Sequence, residues 1–166
     1  MQLQETLTIL AIFISAGATL KMADLWGEAG GGFKAYLASA SAATLFWLML
    51  KLSPSTSTLA LAIILGSLFS GKIDRLNLVL GSILILILAV MLGFTPPVIP
   101  ALILLTGLAA LDEYLHEADG KILALRPALK IGVIVAAAIG WIVWEAALAL
   151  LLFDLSYEAL GRWRPA

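Results

Sequence analysis

The residues of this chain that could do chemistry are concentrated between Leu111 and Lys130. This stretch holds four of the eleven acidic residues, three of the ten basic residues and the only histidine. Asp112, His116 and Asp119 are spaced i, i+4, i+7, which places all three on one face of a helix. Carboxylates and an imidazole on one helix face can bind a divalent cation or transfer protons.

The acidic groups in this stretch flank the histidine, since Glu113 lies three residues before His116. We therefore predict Asp112, Glu113 and His116 as catalytic acid or base groups. A metal site would draw on an overlapping set, and we predict Mg²⁺ or a similar divalent cation as the cofactor. Its predicted ligands are Asp74, Asp112, His116 and Asp119. A solvated acidic helix end with no catalytic role is the alternative interpretation.

The composition predicts an integral membrane protein. Apolar residues make up 62% of the 166 residues and charged residues 13%, and the mean hydropathy is +1.06. Soluble domains are only ~45–50% apolar, and a chain of this size could not bury so much apolar surface in one core. The formal net charge of −1 and the lack of a basic motif argue against a nucleic-acid partner. The absence of cysteine excludes disulfides and thiolate metal sites.

Charged and helix-breaking residues divide the apolar sequence into six predicted transmembrane helices. Residues 76–111 include no charged residue, yet they are nearly twice the ~20 residues that one spanning helix needs. Pro96 and Pro97 supply the turn between two spans. The predicted fold is a single all-α domain with spans at 5–24, 33–51, 56–74, 76–94, 98–117 and 127–153. The residues from Ser156 onwards are predicted to form a short helix lying at the membrane interface.

The basic residues predict how the bundle is oriented in the cell membrane. The connections after the first, third and fifth spans carry seven of the ten basic residues. Because basic residues accumulate on the cytoplasmic side, these connections are predicted inside and both termini outside. Counting 1.5 Å per residue along the odd-numbered spans brings their terminal acids, Asp24, Asp74 and Asp112, to the cytoplasmic interface. We expect the carboxylates at the ends of these helices to line one pocket that opens to the cytoplasm.

Basic side chains near that pocket are predicted to bind an anionic headgroup. They are Lys34, Lys72, Arg75 and Arg126. The leading hypothesis is therefore a membrane-embedded enzyme that acts at the cytoplasmic leaflet on a lipid or isoprenoid-type substrate.

Glu145 suggests the second hypothesis, because it falls within the sixth span, where an unpaired carboxylate costs several kcal/mol. It is predicted to face a cavity or to be a structural hydrogen-bonding group. A small-solute or cation transporter or channel would use a polar path from Glu145 to the inner acids. A partner subunit or structural membrane protein is the third hypothesis. The lipid bilayer is the expected partner, and a homo-oligomer is an open alternative.

Overall fold

The computed structural model describes residues 2–30, 32–117 and 127–162, and it is all-helical over these ranges. The all-α prediction is therefore confirmed for the described residues. The helices are α1 (Gln2–Glu28), α2 (Gly32–Leu52), α3 (Pro54–Phe69), α4 (Leu76–Leu92), α5 (Ile99–Glu117), α6 (Pro127–Ala138) and α7 (Trp144–Gly161).

The sixth predicted span, 127–153, is wrong as a single helix, because the chain turns within it. α6 ends at Ala138 and α7 begins at Trp144. Between them Gly140 has a φ of 79°, a left-handed conformation that glycine adopts readily and that commonly ends a helix. The sequence prediction misses the turn because apolar residues continue through it and Gly140 alone marks it.

The turn at Gly140 changes the end of the bundle at which the last helix finishes. Lys130 near the start of α6 pairs with Asp154 in the second half of α7, so these two helices are antiparallel. Gly161 at the end of α7 lies beside Lys21 in the last third of α1, so α7 runs parallel to α1. The start of α1 and the end of α7 therefore lie at opposite ends of the bundle, whereas the six-span prediction placed both termini on one side. The predicted interfacial helix from Ser156 is the last part of α7.

Two helices, over Leu3–Glu28 and Gly32–Leu52, are long and apolar enough to cross a membrane. α3, α4 and α6 are apolar but shorter. The 12 residues of α6 rise about 18 Å at 1.5 Å per residue, against about 30 Å for a hydrocarbon core. The two candidate helices lie near the N-terminus and give limited support for a membrane location. The length of the helices does not establish a six-span bundle.

At one end of the bundle, hydroxyl groups join the starts of α3, α5 and α7. Ser53 caps α3 with its side chain. The Thr58 hydroxyl accepts a hydrogen bond of 2.8 Å from the Val98 N–H, just before α5. The Ser55 hydroxyl accepts one of 3.2 Å from the Val143 N–H, just before α7. We call this region the hydroxyl end.

The apolar core fills the bundle next to the hydroxyl end. Its fully buried large side chains include Phe13, Met49, Leu50, Leu59, Leu105 and Val133. Glycines bring helix backbones together here and elsewhere: a Cβ on Gly17 would lie 2.2 Å from the Phe153 carbonyl oxygen. Small residues allow such close packing. The largest described cavity lies towards the opposite end of the bundle.

Candidate functional site

A cavity of about 490 Å³ lies towards the opposite end of the bundle, where α1, α3, α5 and α7 end and α4 begins. We call this region the charged end. The volume falls within the range of about 300–1,000 Å³ that is typical of ligand pockets. The deeper wall is apolar and includes Phe46, Ile64, Ile85 and Phe153. The charged side chains lining it are Lys21, Asp24, Glu28, Lys72, Asp74, Arg75, Glu113, Asp154 and Glu158.

The cavity occupies a gap between α3 and α4, which follow one another in the chain but do not pack together. α4 packs mainly against α2, while α3 packs mainly against α5 and α2. Ile64 and Ser67 line the cavity from α3, and Leu78 and Ser82 line it from α4. The cavity is thus bounded on this side by two helices that leave space between them.

Asp24 is the centre of an ion-pair network that ties α1 to the connection between α3 and α4. Arg75 donates to an Asp24 carboxylate oxygen at 2.7 Å and to the Asp24 carbonyl at 3.1 Å. Its other terminal nitrogen donates to Glu28 at 3.1 Å. The second Asp24 carboxylate oxygen accepts from Lys21 at 2.8 Å and lies 3.5 Å from the Tyr157 hydroxyl. Protein donors therefore already occupy both carboxylate oxygens of Asp24.

The same network keeps Arg75 charged. Burial acts to lower the pKa of the guanidinium, but the hydrogen bond to Glu28 and the charges of Asp24, Glu28 and Asp74 outweigh it and raise the pKa. Arg75 was predicted from the sequence to bind a headgroup. In the structure it is paired with two carboxylates of α1.

A second ionic cluster joins α6 to α7. Lys130 forms an ion pair with Asp154 and donates to Glu158 at 3.1 Å. Asp154 and Glu113, each 7% exposed, line both the main cavity and an adjoining cavity of about 30 Å³. A space of that size holds about one water molecule. The ionic cluster therefore borders the interior of the site rather than its rim.

Asp112 caps the start of α6. Its two carboxylate oxygens accept the N–H groups of Ala128 at 2.9 Å and Leu129 at 2.7 Å. The residue is 1% exposed and does not line the main cavity. A carboxylate at a helix N-terminus satisfies free N–H groups and is favoured by the helix dipole. The structure thus gives Asp112 a helix-positioning role, and its predicted catalytic and metal-binding roles stay predictions.

The other predicted site residues are divided between the cavity and other places. Glu113, Asp74, Lys72 and Arg75 all line the cavity. Lys34 is exposed at the start of α2 and does not line it. The structure therefore brings together the acids and bases of α5 and of the α3–α4 connection, and it separates Lys34 from them.

The predicted metal site cannot be assembled from the described side chains. His116 lies in α5, but only its backbone is described, and Asp119 and Arg126 lie outside the described residues. Among the described residues, no group of three or more Asp, Glu, His or Cys side chains is placed to hold a metal ion. Binding of a divalent cation stays a prediction.

Glu145 lies away from the cavity, at the hydroxyl end. It is exposed in the first turn of α7, because the chain turns at Gly140 just before this helix. Its predicted position in the middle of a span follows from treating α6 and α7 as one helix. The fully buried Phe13, Met49 and Leu59 fill the bundle between its level and the cavity.

Sequence reasoning missed the contribution of α7 to the site. Asp154, Tyr157 and Glu158 line the cavity and are spaced i, i+3, i+4, so they share one helix face. That spacing, in an otherwise apolar segment, was a usable signal. The six-span prediction instead assigned this segment to the opposite side of the membrane.

Similarity to known proteins gives no indication of function. Comparison of the chain with protein-family models, curated proteins and solved structures finds no match.

Proposed function

We propose that this protein is a multi-pass membrane protein. The support is the apolar surface that the bundle leaves exposed on α4, α5 and α6. Large side chains more than 60% exposed there include Leu86, Val90, Met91, Ile103 and Ile131. Soluble monomers rarely expose contiguous apolar patches of more than a few hundred Å², whereas a bilayer accommodates such a surface without cost.

The charged end would face the cytoplasm. Of the seven described basic residues, only Lys51 lies at the hydroxyl end. Because basic residues accumulate on the cytoplasmic side, α1 would begin outside the cell and α7 would end inside it. α6 would cross only part of the bilayer, since it starts at the level of Asp112, five residues before the end of α5.

Within this bundle the cavity is proposed to bind an amphiphilic lipid from the cytoplasmic leaflet. The observation that carries the proposal is a single cavity with an apolar inner wall and a charged mouth, set between α3 and α4. An acyl or isoprenoid chain would occupy the apolar part, and a polar headgroup would lie at the mouth. The gap between the two helices would let the lipid enter sideways from the bilayer.

Chemistry on the headgroup is a further step of the proposal. Glu113 and Asp74 line the cavity, and they are the acidic groups from the predicted set that could reach a bound headgroup as acid or base. Loss of turnover with retained lipid binding in Glu113→Gln would support an enzyme, and full turnover in Glu113→Gln and Asp74→Asn would exclude both as catalytic groups.

Lipid binding can be tested by blocking the cavity from α4. Ser82 lines the cavity, and its hydroxyl bonds only within its own helix, so Ser82→Trp would place an indole in the apolar part. Leu86 lies one turn further along the same face of α4, is 65% exposed and does not line the cavity, so Leu86→Trp is the matched control.

The measurement is labelling by a lipid with a photoactivatable acyl chain, with the protein in nanodiscs and the labelled peptides identified by mass spectrometry. We expect saturable labelling of α3 and α4, about tenfold weaker affinity in Ser82→Trp, which corresponds to about 1.4 kcal/mol, and no change in Leu86→Trp. Equal labelling of all three proteins would contradict the proposal.

A further inference from the structure

The charged groups around the proposed lipid site include more acids than bases. Among the described residues, seven carboxylates and four basic side chains line the main cavity or the small cavity beside it. The acids are Asp24, Glu28, Asp74, Asp112, Glu113, Asp154 and Glu158, and the bases are Lys21, Lys72, Arg75 and Lys130. The α6 N–H groups compensate Asp112, which leaves a surplus of two carboxylates at the site.

Carboxylates of the protein already neutralise Arg75, Lys21 and Lys130. Arg75 is shared between Asp24 and Glu28. Lys21 pairs with Asp24. In the second cluster, Lys130 binds two acids of α7. An anionic headgroup would have to displace these carboxylates, and charges of like sign at close range repel strongly where the effective dielectric constant is low. A cationic headgroup would keep the existing pairs and reduce the surplus.

Aromatic side chains line both the apolar part and the charged part of the cavity. Phe46 and Phe153 meet edge to face on the inner wall, with ring centroids 5.9 Å apart. The Tyr157 ring, which also lines the cavity, already holds the Lys21 ammonium 4.9 Å from its centroid. Aromatic faces combined with carboxylates are the groups with which proteins recognise ammonium ligands.

From this combination we infer that the lipid carries a cationic headgroup, either an amine or a quaternary ammonium. The inference rests on the proposed lipid site, and it reverses the sequence-based expectation of an anionic headgroup. The headgroup would lie between the two ionic clusters, near Glu113 and Asp74, with its chain extending along the gap between α3 and α4.

Competition between headgroups on a common chain tests the inference. The signal is the saturable photolabelling in zwitterionic nanodiscs that Ser82→Trp weakens. It is displaced with single-chain amphiphiles of equal length carrying a trimethylammonium, a hydroxyl or a phosphate group. We expect the ammonium compound to compete at about tenfold lower concentration than the hydroxyl compound, or about 1.4 kcal/mol, and the phosphate compound to be the weakest.

A charge variant sharpens the test. Asp74→Asn removes an exposed carboxylate at the mouth and should reduce the preference for ammonium several-fold. Glu145→Gln, at the hydroxyl end, should leave it unchanged. Equal competition by the three compounds, or a preference for phosphate, would overturn the inference and leave the lipid site standing. Absence of saturable labelling in the wild type would overturn the lipid site itself.

Discussion

The hydroxyl end and the charged end of the bundle satisfy their polar groups with different chemistry. At the hydroxyl end, neutral side chains of α3 serve neighbouring backbone groups, as in the hydrogen bonds from Val98 to Thr58 and from Ser57 to the Thr95 carbonyl. At the charged end, carboxylates and bases pair across helices around a cavity. Packed side chains fill the hydroxyl end. The charged end contains a cavity, and the charged groups around it require water, counter-charges or a ligand.

This difference indicates which end is structural and which is functional. A buried hydroxyl needs only a hydrogen-bond partner, whereas a buried charge is costly unless it is paired. Two ionic clusters around one cavity are an energetically costly way to close a bundle. The cost is understandable if the cavity receives a charged ligand. The substitutions below test this distinction, beginning with the largest expected effect.

The largest loss of stability is expected for Asp112→Ala, because Asp112 holds the start of α6 in place at the charged end. The change removes a buried carboxylate and leaves the partly buried N–H groups of Ala128 and Leu129 without its oxygens as acceptors, so it should lower the free energy of unfolding by about 3 kcal/mol. Thermal unfolding in detergent would measure it. Tyr114→Phe, on an exposed side chain of the same helix, is the control. Near-normal stability of Asp112→Ala would show that the cap is dispensable.

At the hydroxyl end, Thr58→Val is expected to have the next largest effect. Valine keeps the shape of threonine but removes the acceptor of the Val98 N–H, so unfolding should become easier by about 1–2 kcal/mol. The matched change is Thr44→Val, whose exposed hydroxyl bonds only to its own helix at Ala40 and should matter little. Equal effects of the two changes would mean that the hydroxyl end is not held by these hydrogen bonds.

A smaller effect on stability is expected for Arg75→Gln, although it removes two ion pairs. The Arg75 side chain is 32% exposed, so water and salt can replace much of the lost interaction, and we expect about 1 kcal/mol or less. The loss should shrink further as the salt concentration rises. Denaturation at low and high salt would measure it. A loss as large as that of Asp112→Ala would show that the network at the mouth is structural rather than functional.

Glu145→Gln should have the smallest effect. The residue is exposed at the start of α7, so stability should change by no more than about 0.5 kcal/mol. Ion flux in proteoliposomes that is present in the wild type and lost in this variant would favour the transporter hypothesis. It would also show that the hydroxyl end has a function beyond packing.

The helical class and most of the helix boundaries could be predicted from the sequence. The long apolar runs predict helices. Pro96 and Pro97 predict a turn, and the structure has one between Leu92 and Ile99. The turn at Gly140 could not be predicted, because a single glycine in an apolar run does not reveal a positive φ. That one turn accounts for the wrong extent of the last predicted span and for the predicted position of the termini.

The position of the site was easier to predict from the sequence than the role of each residue in it. The rise per residue of a helix is fixed, so counting along the chain placed Asp24 and Asp74 at one end, and both line the cavity. Whether a carboxylate is already engaged depends on packing that spacing does not reveal. Asp112 has the most suggestive spacing in the chain, yet α6 occupies both of its oxygens.

The 12 residues of α6 are fewer than the ~20 that a membrane-spanning segment needs to be stable in a bilayer by itself. Their first N–H groups find an acceptor only on a helix made earlier, at Asp112. In the proposed membrane bundle, α6 should therefore insert only as a hairpin with α7, after α5 is already in place. The order in which the chain assembles would then depend on a single carboxylate.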